Sequence, residues 1–121
     1  MWVFIGGGLG SVLRYLIGQA SASAFGVAFP YGTMIVNLTG CFALGVVVQL
    51  AIAGSWHGDA RAAIAAGLLG GFTTYSSFNQ ETLTLFASGA TGAAALNVAI
   101  TLAGGLAAGA LGLTAGRLIS P

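Results

Sequence analysis

The chain has 121 residues, of which 57% are hydrophobic and only 4% are charged. A soluble domain usually has about 25% charged residues, so this chain has too little polar surface to cover a water-soluble globule. The composition also excludes a disordered chain, which needs charge and polarity, and a nucleic-acid-binding protein, which needs a basic face. One cysteine excludes a disulfide within the chain. The composition therefore predicts an integral membrane protein.

Turn-forming residues divide the chain into four apolar blocks, at about 2–24, 33–53, 60–87 and 91–118. A membrane helix needs about 20 apolar residues, so the blocks predict four transmembrane helices in a single domain over residues 1–121. A transmembrane barrel is not expected, because its strands alternate apolar and polar residues. The most polar connection covers 54–59, where we interpret His57 as a solvated loop residue rather than a ligand.

The third block has an unusual centre. The pair Gly70-Gly71 is followed by hydroxylated and amide residues and by Glu81, all inside an otherwise apolar stretch. Glycine and β-branched residues weaken a helix, and side-chain hydroxyls compete for its backbone hydrogen bonds. The pattern predicts two half-helices around a break near 70–75. At membrane depth, freed carbonyls are tolerated only if protein buries them or they line a cavity.

Arg14 and Glu81 are the two charged residues that lie well inside apolar blocks. A charge at the bilayer centre costs on the order of 2.5–3.5 kcal/mol, so such residues face the protein interior or mark an ion pathway. The alternative is that they lie near the interface and extend toward water. Small residues four apart recur along the blocks and predict close helix packing. For Asn37, Asn97 and Thr101, the sequence favours neither a packing role nor a functional role.

Enzyme chemistry is not indicated. Nothing marks a nucleophile with an ordering base, and Gly6 to Gly10 form neither a complete GxGxxG nor a phosphate-binding loop. Cys41 is interpreted as a small packing residue.

Three sequence motifs occur in the first three blocks, and a fourth pattern follows. They are GGLGSVLRY at 7–15, GTMIVNLTG at 32–40, GGFTTYSSF at 70–78 with Glu81 after it, and Asn97-x3-Thr101-x3-Gly105. Together they resemble the small bacterial Fluc/CrcB fluoride channel family. The resemblance extends over all four blocks.

The resemblance implies an all-α membrane protein whose third helix is broken at mid-membrane. It further implies an antiparallel, dual-topology homodimer that encloses two fluoride pores and passively exports fluoride across the bacterial inner membrane. The implied partners are fluoride, a second copy of the chain and membrane lipid. A structural sodium ion at the dimer centre is implied as well, held by the backbone carbonyls of Gly70 and Thr73.

The resemblance also implies roles for individual side chains. The implied ion pathway comprises Asn37, Tyr75, Phe78, Ser76, Ser77 and Thr101. Arg14 and Glu81 match the family's vestibule arginine and the acid after the aromatic pair. Tyr75 replaces the usual phenylalanine, and Gly105 lacks a hydroxyl that some members have. Amide and hydroxyl donors with electropositive ring edges suit a small anion, because they can replace its water without binding it too tightly.

Two other functions fit four short spans. One is a small dual-topology multidrug/proton antiporter, which needs a membrane carboxylate, usually in the first span; here that span has Arg14 and no acid. The other is a structural helix-packing subunit of a larger complex.

Overall fold

The structure of the protein, a computed structural model, describes residues 1–54 and 58–120. Over these ranges all regular secondary structure is helical, as the composition predicts. The helices are α1 (Trp2–Phe25), α2 (Tyr31–Ile52), α3 (58–72), α4 (Tyr75–Ala87) and α5 (Thr91–Ile119). Taken together as the third passage, α3 and α4 occupy the third predicted apolar block, and α1, α2 and α5 occupy the other three. The interpretation of His57 lies outside the described residues.

Two helices contain segments of wider π-helix. In α3, the segment Ala62–Leu69 lies between Gly58–Arg61 and Gly70–Phe72. In α5, Ile100–Gly104 lies between Thr91–Ala99 and Gly105–Ile119. Short π-helical segments often occur at functional sites. The second segment contains Thr101, one of the predicted pathway residues.

Two of the described helices are long and apolar enough to cross a membrane, α2 with 22 residues and α5 with 29. Neither α3 nor α4 reaches the length of about 20 residues that a full crossing needs, so each can traverse only part of a bilayer. Only the two in succession, over 58–87, have the length for a crossing.

Glycines hold the helices in two closely packed pairs. In the first pair, Gly10 of α1 lies against the backbone of Leu68 and Phe72 in α3. In the second, Gly45 of α2 lies against the backbone of α5 near Gly112. In both pairs residue numbers rise together along the contact, so the paired helices run in the same direction. Small residues at such contacts let backbones approach closely, as the small-residue spacing predicts.

The surface of the chain is apolar. The buried hydrophobic side chains are few and mostly small: Val36, Val47, Leu69, Phe78 and Ala94. Many large apolar side chains are exposed along all four passages, including Phe4, Leu16, Leu106 and Leu118. Such a surface is unfavourable in water and favourable against lipid chains. The chain is a membrane protein.

Replacing Gly10 with alanine should destabilise the α1–α3 pair. The added methyl group would collide with backbone atoms of Leu68 and Phe72, which cannot move aside as a flexible side chain can. Overpacking of this kind costs about 1–3 kcal/mol. Gly8 in the same helix is the matched control, because nothing lies within 4 Å of a methyl group there. Thermal unfolding in detergent should show a lower midpoint for Gly10→Ala and no loss for Gly8→Ala; equal midpoints would contradict the packing.

Candidate functional site

The third passage leaves helical geometry at two residues. Thr73 (φ −81°, ψ 157°) and Thr74 (φ −152°, ψ 115°) are both extended, with α3 ending at Phe72 and α4 beginning at Tyr75. We call Thr73 and Thr74 the interruption. It lies where the sequence places glycine, β-branched and hydroxylated residues in succession, which is the combination that disfavours a continuous helix.

Asn37 of α2 holds the interruption from the side. Its Nδ2 donates to the carbonyl oxygen of Thr74 at 3.0 Å, and its Oδ1 accepts from the backbone nitrogen of Thr74 at 2.8 Å. Both residues are buried. One turn further along α2, Gly40 leaves room for the Thr73 methyl group, which a side chain at Gly40 would overlap. Asn37 Oδ1 therefore replaces the backbone acceptor that the interruption removes from the Thr74 nitrogen.

Thr74 also begins the next helix. Its Oγ1 accepts a hydrogen bond from the backbone nitrogen of Ser77 at 3.2 Å, the usual arrangement of a threonine N-cap. The same hydroxyl lies 3.3 Å from Ser76 Oγ and donates to Ser77 Oγ at 3.1 Å. One side chain thus caps α4 and joins the hydroxyl groups of its two serines into a cluster.

At the interruption, two backbone nitrogens donate to side-chain oxygens instead of to the carbonyl groups that they would reach in a continuous helix. In an α-helix the carbonyl of Gly70 would accept from the nitrogen of Thr74, but that nitrogen donates to Asn37. The carbonyl of Thr73 would accept from the nitrogen of Ser77, but that nitrogen donates to Thr74 Oγ1. Arg14 Nη1 donates to the Thr73 carbonyl instead, at 3.2 Å.

A cavity of about 300 Å³ opens beside the interruption. Its polar lining includes Asn37, Thr73, Thr74 and Thr101, and no Asp, Glu, Lys or Arg is among its described lining residues. Tyr75 and Phe78 add two rings to the wall, with centroids 5.7 Å apart and planes tilted by 58°. Phe78 is only 6% exposed, whereas Tyr75 is 76% exposed. We call this space the aromatic cavity.

Two further cavities lie on the other side of Thr74. The first, of about 450 Å³, has Arg14, Thr33, Thr74 and Ser77 in its lining. The second, of about 390 Å³, also includes Thr33 and Ser77 and adds Glu81. Thr33 donates to Glu81 Oε1 at 2.7 Å, whereas the buried Oε2 has no hydrogen-bond partner among the described residues. Arg14 and Glu81 thus line two neighbouring cavities rather than the same cavity.

Comparison with known proteins identifies the family. Residues 1–113 match the family described as CrcB-like protein, Camphor Resistance (CrcB). The chain belongs to the CrcB family. It is 43% identical to a protein of Shewanella woodyi over 84% of this chain and 82% of that protein, and 40% identical to one of Sorangium cellulosum over 96% and 92%. A Thermus thermophilus protein is 45% identical over 78% and 75%. All three are named fluoride-specific ion channel FluC.

The match confirms the family that the sequence motifs indicate. The relatives' names describe channels rather than enzymes, which agrees with the prediction that the chain is not an enzyme. Four predicted pathway residues of this CrcB protein, Asn37, Tyr75, Phe78 and Thr101, meet around the aromatic cavity. Ser77 lines the two cavities on the other side of Thr74. Ser76 is exposed and does not line the aromatic cavity.

Two polar contributors to the site of this CrcB chain were not predicted from its sequence. Thr74 is central, because it lines the aromatic cavity, caps α4 and pairs with Asn37. The signal was available: threonine favours the N-cap position, where its side-chain oxygen accepts from the backbone nitrogen three residues on. Thr33 was missed as the partner of Glu81, because the two are 48 positions apart and only packing of α2 and α4 joins them.

Asn97 is one of the most completely buried side chains, at 1% exposure. Its Nδ2 donates to Thr82 Oγ1 at 2.9 Å, and that hydroxyl donates to the carbonyl of Phe78 at 2.7 Å. The chain of bonds links α5 to α4 at the backbone of Phe78. In this structure Asn97 therefore packs and aligns helices, while Thr101, one turn away, faces the aromatic cavity.

Proposed function

We propose that the protein is a passive fluoride channel of the bacterial inner membrane. The observation that carries the proposal is the uncharged aromatic cavity, where hydrogen-bond donors and ring edges converge beside a non-helical backbone. The family and the names of the relatives support the same ion. The interruption would lie at mid-membrane, since α3 and α4 are two partial crossings of similar length on either side of it.

The chemistry of the cavity suits a small, strongly hydrated anion. Thr101 supplies a hydroxyl group, and Asn37 retains the second hydrogen of its amide after bonding to Thr74. The edges of Phe78 and Tyr75 carry partial positive charge and are polarised rather than ionised. Because no fixed cation lines the described wall, an anion that gives up its water there is stabilised without being trapped.

A second copy of the chain would complete the pathway. Tyr75 and Ser76 begin α4 on the chain surface, so half of the aromatic pair and one of the hydroxyl groups face outward. An antiparallel homodimer would enclose two such pathways, one beside each interruption. The remaining exposed apolar side chains would face lipid.

The residues at the interruption fit a structural sodium ion. Sodium is a hard cation that prefers oxygen ligands, and the helical donors of the Gly70 and Thr73 carbonyls donate to other oxygens at the interruption. Gly70 is exposed at the surface of the single chain, where a second chain can approach. One such pair of carbonyls from each chain would hold the ion. When bound, it would neutralise the partial negative charge at the ends of both α3 helices.

Reconstituted liposomes test this function directly. Vesicles loaded with potassium fluoride and carrying the purified protein should release fluoride once valinomycin is added, because valinomycin lets potassium leave with the anion. A fluoride electrode records the release. Vesicles loaded with potassium chloride should release that ion at least about tenfold more slowly, a barrier difference of about 1.4 kcal/mol. Equal release of the two halides would reject selectivity. Proton-coupled efflux of an organic cation, abolished by Glu81→Gln, would support the antiporter instead.

A further inference from the structure

The carbonyl of Thr73 has an unusual hydrogen-bond donor. Its helical donor, the nitrogen of Ser77, is committed to Thr74 Oγ1. The donor found in its place is the guanidinium of Arg14, which reaches it from α1 across 59 positions of sequence. A charged side chain has thus replaced a neutral backbone group at the point where the helix is interrupted.

The replacement has an electrostatic consequence. The last carbonyls of α3 lack helical donors and form the negative end of its dipole, which favours a nearby cation. Arginine keeps its charge under all relevant conditions. No carboxylate is among the described residues that line the cavity beside Arg14. The partial negative charge at the end of α3 is therefore the counter-charge available to Arg14.

The same carbonyl is one of the two proposed above for sodium. Two cations that share one oxygen repel each other, and the repulsion is larger in a site shielded from water. We infer that Arg14 is a positioning residue that serves as a built-in cation at the end of α3. It holds the interruption in its extended form before any metal binds, and it weakens the binding of sodium. The second statement depends on the proposed sodium site, whereas the first does not.

Sodium-dependent thermal stability of the purified protein tests the inference. Unfolding midpoints would be measured in detergent over a range of sodium chloride concentrations, with N-methyl-D-glucamine chloride keeping ionic strength constant. Arg14→Gln should unfold at a lower temperature without sodium, and its half-maximal sodium concentration should fall by on the order of tenfold relative to the unsubstituted chain. Arg14→Lys keeps the charge, so its half-maximal concentration should stay close to that of the unsubstituted chain.

Arg117→Gln is the matched control, because Arg117 is exposed in the last turn of α5 and its loss should leave the sodium response unchanged. An unchanged or higher half-maximal concentration in Arg14→Gln would overturn the statement that Arg14 weakens sodium binding, as would the absence of a sodium response in all variants. An unchanged unfolding midpoint of Arg14→Gln without sodium would overturn the statement that Arg14 holds the interruption. If the Arg14→Gln protein folds only in the presence of sodium, the inference is supported. If the protein does not fold even at saturating sodium, the inference is wrong. Fluoride efflux by the unsubstituted chain is measured separately, so failure of the proposed function is distinguishable.

Discussion

Phe78→Ile should reduce fluoride efflux by at least about tenfold, which corresponds to about 1.4 kcal/mol in the barrier. The ring of Phe78 is buried in the wall of the aromatic cavity and lies 5.7 Å from the ring of Tyr75. Isoleucine keeps the position apolar and branched but removes the electropositive ring edge, so the site loses its attraction for an anion while the apolar packing is largely kept. Initial efflux rates from liposomes, normalised to the amount of reconstituted protein, measure the effect.

Phe86→Ile provides the matched control for this substitution. Phe86 belongs to the same helix, but it is 64% exposed and does not line the aromatic cavity. Its efflux rate should equal that of the unsubstituted chain. If Phe78→Ile conducts fluoride as fast as Phe86→Ile, Phe78 does not contribute to the pathway. Size-exclusion chromatography of both variants establishes that the assembly is intact, so a lower rate reflects conduction rather than unfolding.

Asn37→Leu should produce the largest loss of stability. Leucine has the same branching and number of side-chain heavy atoms but can form neither bond to Thr74, so the buried nitrogen and carbonyl oxygen of that residue would lose their partner. Each unsatisfied buried group costs about 1–3 kcal/mol. The interruption would then lose its fixed geometry, and fluoride efflux should fall to the background of empty liposomes. The midpoint of thermal unfolding in detergent and the efflux rate are both measured.

Thr39→Val tests whether the effect is particular to Asn37. Thr39 lies two residues further along α2, is exposed, and its hydroxyl donates to the carbonyl of Ile35 in its own helix. Valine matches its shape, and the substitution should change neither the midpoint nor the efflux rate appreciably. An Asn37→Leu protein that unfolds at the same temperature as Thr39→Val would show that the two bonds to Thr74 do not stabilise the fold.

The helical passages were predictable because their cause is local. The apolar blocks at about 33–53 and 91–118 agree with Tyr31–Ile52 and Thr91–Ile119 to within two residues at each end. Gly26 adopts a positive φ of 78° directly after α1, a conformation that glycine permits and that ends the helix near the predicted break. The π-helical segments in α3 and α5 were not predicted, since nothing in their composition differs from that of an ordinary apolar helix.

The candidate site was predictable only in part. The residue types at Asn37, Phe78 and Thr101 indicated a pathway through their chemistry and through resemblance to a family. The partners of those residues were not indicated. Nothing in the sequence joins Asn97 to Thr82, because the bond between them depends on how α4 packs against α5.

By itself, the sequence determined a membrane chain of four helical passages, its family, and a segment after Gly70-Gly71 that disfavours a continuous helix. Those properties follow from apolar length and from the conformational preferences of neighbouring residues. Only the tertiary structure decided that Asn37 would hold Thr74 and that Arg14 would donate to Thr73, because the residues in these bonds are 37 and 59 positions apart. Glycine-mediated contact between whole helices brings them within hydrogen-bond distance, and no local pattern encodes that distance.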